Sequence, residues 1–428
     1  MKRMRILAVL VGLAVRMSSF LFIGALVSSV LIAASSALAA DLTVVCPGGG
    51  PGAYPTITAA LNAITNNEGP NSISVSGTCT ENVFIFNQNN LYIHNAPGST
   101  AVITNAASPA QSTVQLFGSR LVTFDGLSIQ GGNPGLFVNQ GSDLQMFNSV
   151  LEKNAGSGAI VLIESDLNLG VSCVIRNNGS SGLVVGDSSV AVIISPTQIL
   201  NNNGDGATAF SNGYIKFQTT GGHIIEGNAC HGVAADTDGH VYLQSFDLPT
   251  VVRNNGCDGL AFLRGSTGRF DGQNKIDSNG AVGVRVESST VTVFGSTTIT
   301  GHSSAGVDVS RGGEFSFFGT HQITNNGNPT DGAGIRVERS SLNLQDGATV
   351  SNNVGPGISG DAHSGIVLGP TASVTNNSST GIRLRHQSLV GLTAPVTIQS
   401  NGGGNIACDS TSLAYGQLAG ITGVQCGE

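Results

Sequence analysis

The sequence contains no tryptophan, and only 10% of its 428 residues are charged. Helical proteins draw on Ala, Leu, Glu and Lys, so this composition argues against a helical architecture. No C-x-x-C pair occurs among the seven cysteines, which argues against a zinc cluster or a thiol nucleophile. No calcium-binding nonapeptide repeat occurs either, so no cofactor is implied and Ca2+ is left as an open alternative. Past residue 39, no run is long and apolar enough to span a bilayer. Basic residues are also scarce. Four of the 18 lie within the first 39 positions, which leaves 14 against 26 acidic residues and a formal charge of −12. Nucleic acid and anionic membrane both require a basic footprint, and this excess of acid argues against them as partners. What is abundant is Gly, at 60 residues, with Asn, Ser, Thr, Val and Ile around it. That mixture favours short strands joined by tight turns.

The first 39 residues read as a secretory signal peptide. Lys2, Arg3 and Arg5 precede an apolar run from Phe20 to Ala34, and Ala37–Ala39 supplies small residues for cleavage after Ala39. The expectation is a secreted, periplasmic or cell-surface chain, with an uncleaved anchor as the alternative.

A repeat runs through most of the remainder. Gly followed by an apolar–x–apolar triplet recurs at Gly135, Gly158, Gly182, Gly206, Gly232, Gly259, Gly283, Gly306, Gly334, Gly357 and Gly381, at intervals of 23 to 28 residues. Four residues before the Gly stands Asn: Asn154, Asn178, Asn202, Asn228, Asn255, Asn279, Asn353 and Asn377. His302 substitutes once, and Asn326 takes the place before the insertion that precedes Gly334. An aliphatic lies three residues before that Asn, as at Ile175, Ile199 and Ile276. Each unit reads as three short strands and three turns, too small to bury its own apolar face, so the units must stack as a solenoid. The prediction is an all-β, single-stranded, right-handed parallel β-helix of about 12–14 coils, roughly 60 Å long at ~4.8 Å per coil. The Asn column is expected to tolerate left-handed backbone and to hydrogen-bond from coil to coil.

The divisions expected are a signal peptide over 1–39, an N-terminal cap and first coils over 40–110, repeats over 111–400 and a C-terminal cap or tail over 401–428. Ile57, Ala60, Leu61 and Ile64 share one face of a cap helix, with first strands around Ile73–Val75 and Val83–Ile85.

This pattern resembles the right-handed parallel β-helix repeat proteins of the pectin-lyase-like superfamily, over about residues 41 to 400. "GTCTENV" (Gly77–Val83) is similar to the first conserved box of pectin methylesterases, with Cys79 where an aromatic is usual. The other catalytic boxes of that family are missing, as is the polygalacturonase set, of which "DTDGH" (Asp236–His240) is a faint echo. The resemblance implies a shape and a habitual substrate class, an extracellular polysaccharide or cell-surface glycan. It names no reaction; an enzyme of this kind would be a polysaccharide lyase or glycoside hydrolase.

Cys230 and Cys257 each lie two residues before a repeat Gly, at equivalent places on adjacent coils and within disulfide reach. Cys46–Cys79 and Cys408–Cys426 complete three expected bridges, while Cys173, two residues before the inward Ile175, is an inert core thiol.

Chemistry must sit on outward positions. The second and fourth residues after the Gly are apolar in early coils (Phe137, Ile160, Leu162, Val184, Phe210) and charged in late ones (Arg285, Glu287, Asp308, Arg336, Glu338, Asp361, Arg383, Arg385). The apolar half is expected to lie under a loop or terminus rather than to meet a partner. The charged half reads as an ion-pair ladder or as a groove in which Arg285, Asp308, Arg336 and Arg383 bind a glycan. Just before the Gly, Asp205, His231 and Asp258 fall on three consecutive coils and form the candidate catalytic set. The opposing reading is a non-catalytic structural or adhesion rod.

Overall fold

A computed structural model describes residues 39–106, 110–219, 222–330 and 332–426. The signal-peptide expectation over 1–39 therefore lies almost wholly outside the described residues. Among these residues no helix is long and apolar enough to cross a membrane. The chain is a right-handed parallel β-helix of about 14 turns. Every strand pairing between coils is parallel, in one sheet of 15 strands and another of 25. The smaller sheet takes one strand per coil, beginning at Val83–Phe86 and ending at Val424–Gln425. The larger takes two per coil, which fuse in mid-rod into the long strands His240–Arg253, Thr267–Asp277, Thr290–Thr300 and Glu314–Thr324.

Equivalent residues stack because parallel register places them one coil apart. Along the smaller sheet, Leu183, Ala207, Val233, Leu260, Val284 and Val307 pair in succession, all essentially buried. The side-chain period of two then sends every intervening residue outward. Both ends are stapled. The short helix Ile57–Ala63 buries Ile57, Ala60 and Leu61, and its N-terminal amides at Ile57 and Thr58 donate to the Glu81 carboxylate at 2.7 and 2.9 Å. Cys46 and Cys79 are bonded beside it, with Cα atoms 5.0 Å apart. Cys408–Cys426 closes the last coils, Cys230–Cys257 joins two neighbouring coils in mid-rod, and Cys173 is a buried free thiol. Burial pushes that thiol up to about 11, so it stays protonated and inert.

The Asn column is a ladder of side-chain amides, interrupted once at His302. Asn202 Nδ2 donates to Asn228 Oδ1 at 2.9 Å, Asn228 to Asn255 at 2.9 Å and Asn255 to Asn279 at 2.9 Å, with the same link from Asn326 through Asn353 and Asn377 to Asn401. Each Oδ1 also accepts the backbone N–H of the preceding rung. The expected left-handed backbone falls elsewhere. It belongs to the residue before the rung, such as Lys153, Asn177, Asn201 and Asn254, with φ of 54–55°. The rung itself keeps ordinary backbone geometry, and its amide alone accounts for the preference.

His302 fills a rung imperfectly. Its Nδ1 accepts the Asn279 N–H at 3.2 Å and its Nε2 pairs with the Ile276 carbonyl at 3.2 Å, but Asn279 Nδ2 is left with only the Val252 carbonyl. His302→Asn is expected to restore the side-chain link and stabilise the fold by about 1 kcal/mol, read as a higher urea midpoint with unchanged slope. A lower midpoint would show that imidazole packing outweighs the recovered bond.

A second ladder escaped the sequence reading. Backbone N–H groups of Ser119, Ser142 and Ser165 donate to the Oγ of Ser142, Ser165 and Ser189, each one coil on, and Ser364, Ser388 and Ser412 repeat the pattern. The signal was present as Ser six or seven residues after most repeat Gly residues.

Candidate functional site

The outward column of the smaller sheet changes character along the rod. At its start Phe84 and Phe86 stand 51% and 53% exposed, while farther along Phe137, Ile160, Leu162, Val184 and Phe210 are half-buried. The rings shield one another: Phe84 lies 5.1 Å from Phe117, and Phe117 meets Phe137 edge-on at 5.9 Å.

Farther on, strand register stacks Arg285, Asp308, Arg336, Ser359 and Arg383 on five consecutive coils. Asp258, at the turn preceding the Leu260–Leu263 strand, enters the same line from one coil earlier. Its carboxylate receives Arg285 Nε at 2.7 Å and Nη2 at 3.2 Å, and also the Val282 N–H at 3.0 Å. Arg285 continues to Asp308 at 3.6 Å, and Arg336 meets the same Asp308 oxygen at 3.3 Å. Burial raises the Asp308 carboxyl above its ordinary value, while Arg336 and Arg285 oppose that rise.

Arg383 differs from these. Its Nη2 donates to Ser359 Oγ at 3.1 Å, its Nε is buried without a hydrogen-bond partner, and no carboxylate lies within ion-pair distance among the described residues. Burial and the neighbouring Arg385 and Arg336 depress its pKa, against an opposing pull from the Asp361 carboxylate. Beside it opens a cleft of about 510 Å³ lined by Ser304, Thr330, Arg336, Pro356, Ser379 and Arg383. One wall is formed by Pro329, Thr330 and Gly332, just ahead of Gly334.

Asp205, His231 and Asp258 lie side by side in the expected order, but both carboxylates and His231 Nδ1 are engaged. Asp205 accepts the His231 N–H at 2.9 Å and the Thr208 hydroxyl at 2.9 Å. His231 Nδ1 accepts the Asp258 N–H at 3.3 Å, with its other contact the Asp258 carboxylate at 3.5 Å. Asp258 is 2% exposed and held by Arg285. Both carboxylates therefore cap backbone amides, and no free acid and base face each other across an open site. Cys230, His231 and Cys257 also cluster, but the disulfide leaves no thiolate to hold a metal.

A rim of basic side chains went unnoticed in the sequence. Arg264, Arg311, Arg339 and His386 each stand five residues after a repeat Gly, at left-handed positions, and pair with Asp236, Glu287, Glu338 and Asp361. Their common offset was the available signal.

Residues 259–415 match the family model described as the right handed beta helix region. No curated protein matches the sequence. Among solved structures, the chain is similar to the A-module of Azotobacter vinelandii mannuronan C-5 epimerase AlgE6, at 17% identity over 84% of this chain and 94% of that one, with a TM-score of 0.43. It is also similar to the catalytic unit of GH87 α-1,3-glucanase from Streptomyces thermodiastaticus strain HF3-3, at 12% identity over 90% and 68%, TM-score 0.31. Pectate lyase Pel9A matches at 14% identity over 90% and 83%, TM-score 0.24. These are likenesses of chain path, and no residue role is taken from them.

Proposed function

We propose that this β-helix is an exported module that binds an acidic extracellular polysaccharide on the charged half of its smaller sheet, with Arg383 and Arg336 holding a carboxylate or sulfate in the adjoining cleft. The observation that carries the reading is Arg383. A half-buried guanidinium with an orphaned Nε and, among the described residues, no carboxylate within ion-pair distance is costly in isolation, and an anionic ligand supplies the missing charge and acceptor. The reading is of binding rather than turnover, because Asp205 and Asp258 are already engaged. Three disulfides suit an oxidising compartment, and the N-terminal sequence supplies the route to one.

The test is calorimetric titration of the mature chain with acidic and neutral polysaccharides. Acidic polymers are expected to bind and to weaken with salt, and Arg383→Ala is expected to cost about 10–100-fold in Kd, the worth of one charge-assisted pair. Binding of neutral polymers alone, or binding indifferent to Arg383→Ala, would overturn the proposal. Turnover of any polymer that survives Arg383→Ala would point instead to a lyase or hydrolase site elsewhere on the rod.

A further inference from the structure

The charged column has a period that the proposed binding does not by itself require. Its cations occur on alternate coils, at Arg285, Arg336 and Arg383, with Asp308 and then Ser359 between them. We infer that the site selects a polysaccharide carrying one anionic group on every second sugar and discriminates against one charged on every sugar. This rests on the binding reading above and adds the class of polymer.

Consider an extended polysaccharide lying along the rod axis. Two coils separate successive cations, about 9.6 Å at ~4.8 Å per strand. One pyranose ring in an extended chain advances by close to one coil, so a disaccharide spans the interval from Arg336 to Arg383. An anion over each of these arginines puts the intervening sugar over Ser359. That hydroxyl already accepts Arg383 Nη2 at 3.1 Å, and its O–H is left to donate to a ring or hydroxyl oxygen. A neutral sugar satisfies it and does not require a second cation there.

Two coils before Ser359 the same phase places the next intervening sugar over Asp308. Its carboxylate is 6% exposed and shared between Arg285 and Arg336. A polymer charged on every ring would bring a second carboxylate onto Asp308, with repulsion and loss of the Arg336 contact together. Beyond the column the register partners are Ala261 before Arg285 and Ala407 after Arg383, so the in-register alternation is confined to these five coils, with Asp258 joining from the preceding turn. A ladder built only for stability would need each cation matched to an acid. Ser359 in place of an acid beside Arg383 breaks that logic and leaves the alternation itself as the feature to explain.

The test compares two probes on the full mature chain at equal charge concentration: hyaluronan, with one carboxylate per disaccharide, and polygalacturonate, with one per residue. Hyaluronan is expected to bind about 10-fold tighter, and Asp308→Asn to shrink that ratio to about 2-fold by admitting polygalacturonate. The wild-type comparison needs no variant, so it stands even if Asp308→Asn folds poorly. Equal or tighter binding of polygalacturonate by the wild type overturns the inference while leaving an Arg383-dependent acidic-glycan site intact. A ratio unmoved in a folded Asp308→Asn protein overturns Asp308 as the discriminating residue and the inference with it. Failure of both polymers to bind removes the binding reading and the inference together.

Discussion

Asn255→Leu is expected to lower the stability of the rod by about 4 kcal/mol or more, a larger loss than most single substitutions produce. The side chain is 1% exposed, and leucine keeps the branch at Cγ while deleting every polar atom. Asn255 Oδ1 accepts the Asn228 N–H at 3.0 Å and Asn228 Nδ2 at 2.9 Å, while its own Nδ2 donates to the Ile225 carbonyl at 3.3 Å and to Asn279 Oδ1 at 2.9 Å. Leucine removes all four. The Asn228 N–H is left a buried donor with no partner, Asn228 Nδ2 keeps only the Ile199 carbonyl, and Asn279 Oδ1 keeps only the Asn255 N–H. Each bare buried group costs roughly 1–3 kcal/mol, and the backbone cannot relax because the same register binds every neighbouring coil. The measurement is urea unfolding followed by circular dichroism. Asn401, part-exposed and alternatively bonded to Gln399 and Asn405, serves as the control with a smaller expected loss. A change below about 1 kcal/mol at Asn255 would mean that the ladder adds little beyond the aliphatic columns.

The second large effect is acid lability. His223, His302 and His321 are buried, and burial lowers each to about 4. His321 stacks on Phe317 at 4.4 Å, and His223 meets Phe217 edge-on at 5.4 Å. In the unfolded chain each titrates near ~6.5, so between the two values the unfolded state binds more protons than the folded one. Stability is therefore full above about pH 6.5, declines as pH falls toward about 4, and loses nothing further from these groups below that. Each contributes on the order of 3 kcal/mol over the whole window, so the three together are of a size with the stability of an ordinary domain. Thermal unfolding followed from pH 7.5 to 4 should show a steep fall in Tm, and His302→Asn should flatten it by about a third. A Tm constant from pH 7 to 4.5 would contradict the burial of these imidazoles.

The coil architecture was legible in the sequence because parallel stacking demands the same residue type at the same offset. Gly259, Asn255 and Ile276 each announce a column, and the equivalence of Cys230 and Cys257 follows from them. The Asp205–His231–Asp258 adjacency was legible for the same reason. What Asp258 does there was not, because turn side chains choose between solvent, backbone amides and neighbours by torsion rather than by period. Nothing in the sequence says that Val282 N–H and Arg285 both reach it. The left-handed residue was misplaced by one position because Asn suits both left-handed backbone and an amide ladder, and only geometry separates the two uses. The basic rim was overlooked because its members alternate Arg, Ser, Ala and His, a weaker column than invariant Gly.

The Cys230–Cys257 bridge has a mechanical meaning. Pulled from its ends, a stack of this kind gives up length one coil at a time, because each coil holds only its neighbours. The bridge closes a 27-residue loop around one complete coil. That segment cannot pay out until the disulfide is reduced. The terminal bridges hold the first and last coils in the same way, so under load the chain would lengthen between the staples, up to a segment of fixed contour that ends beside Asp258, the foot of the charged column.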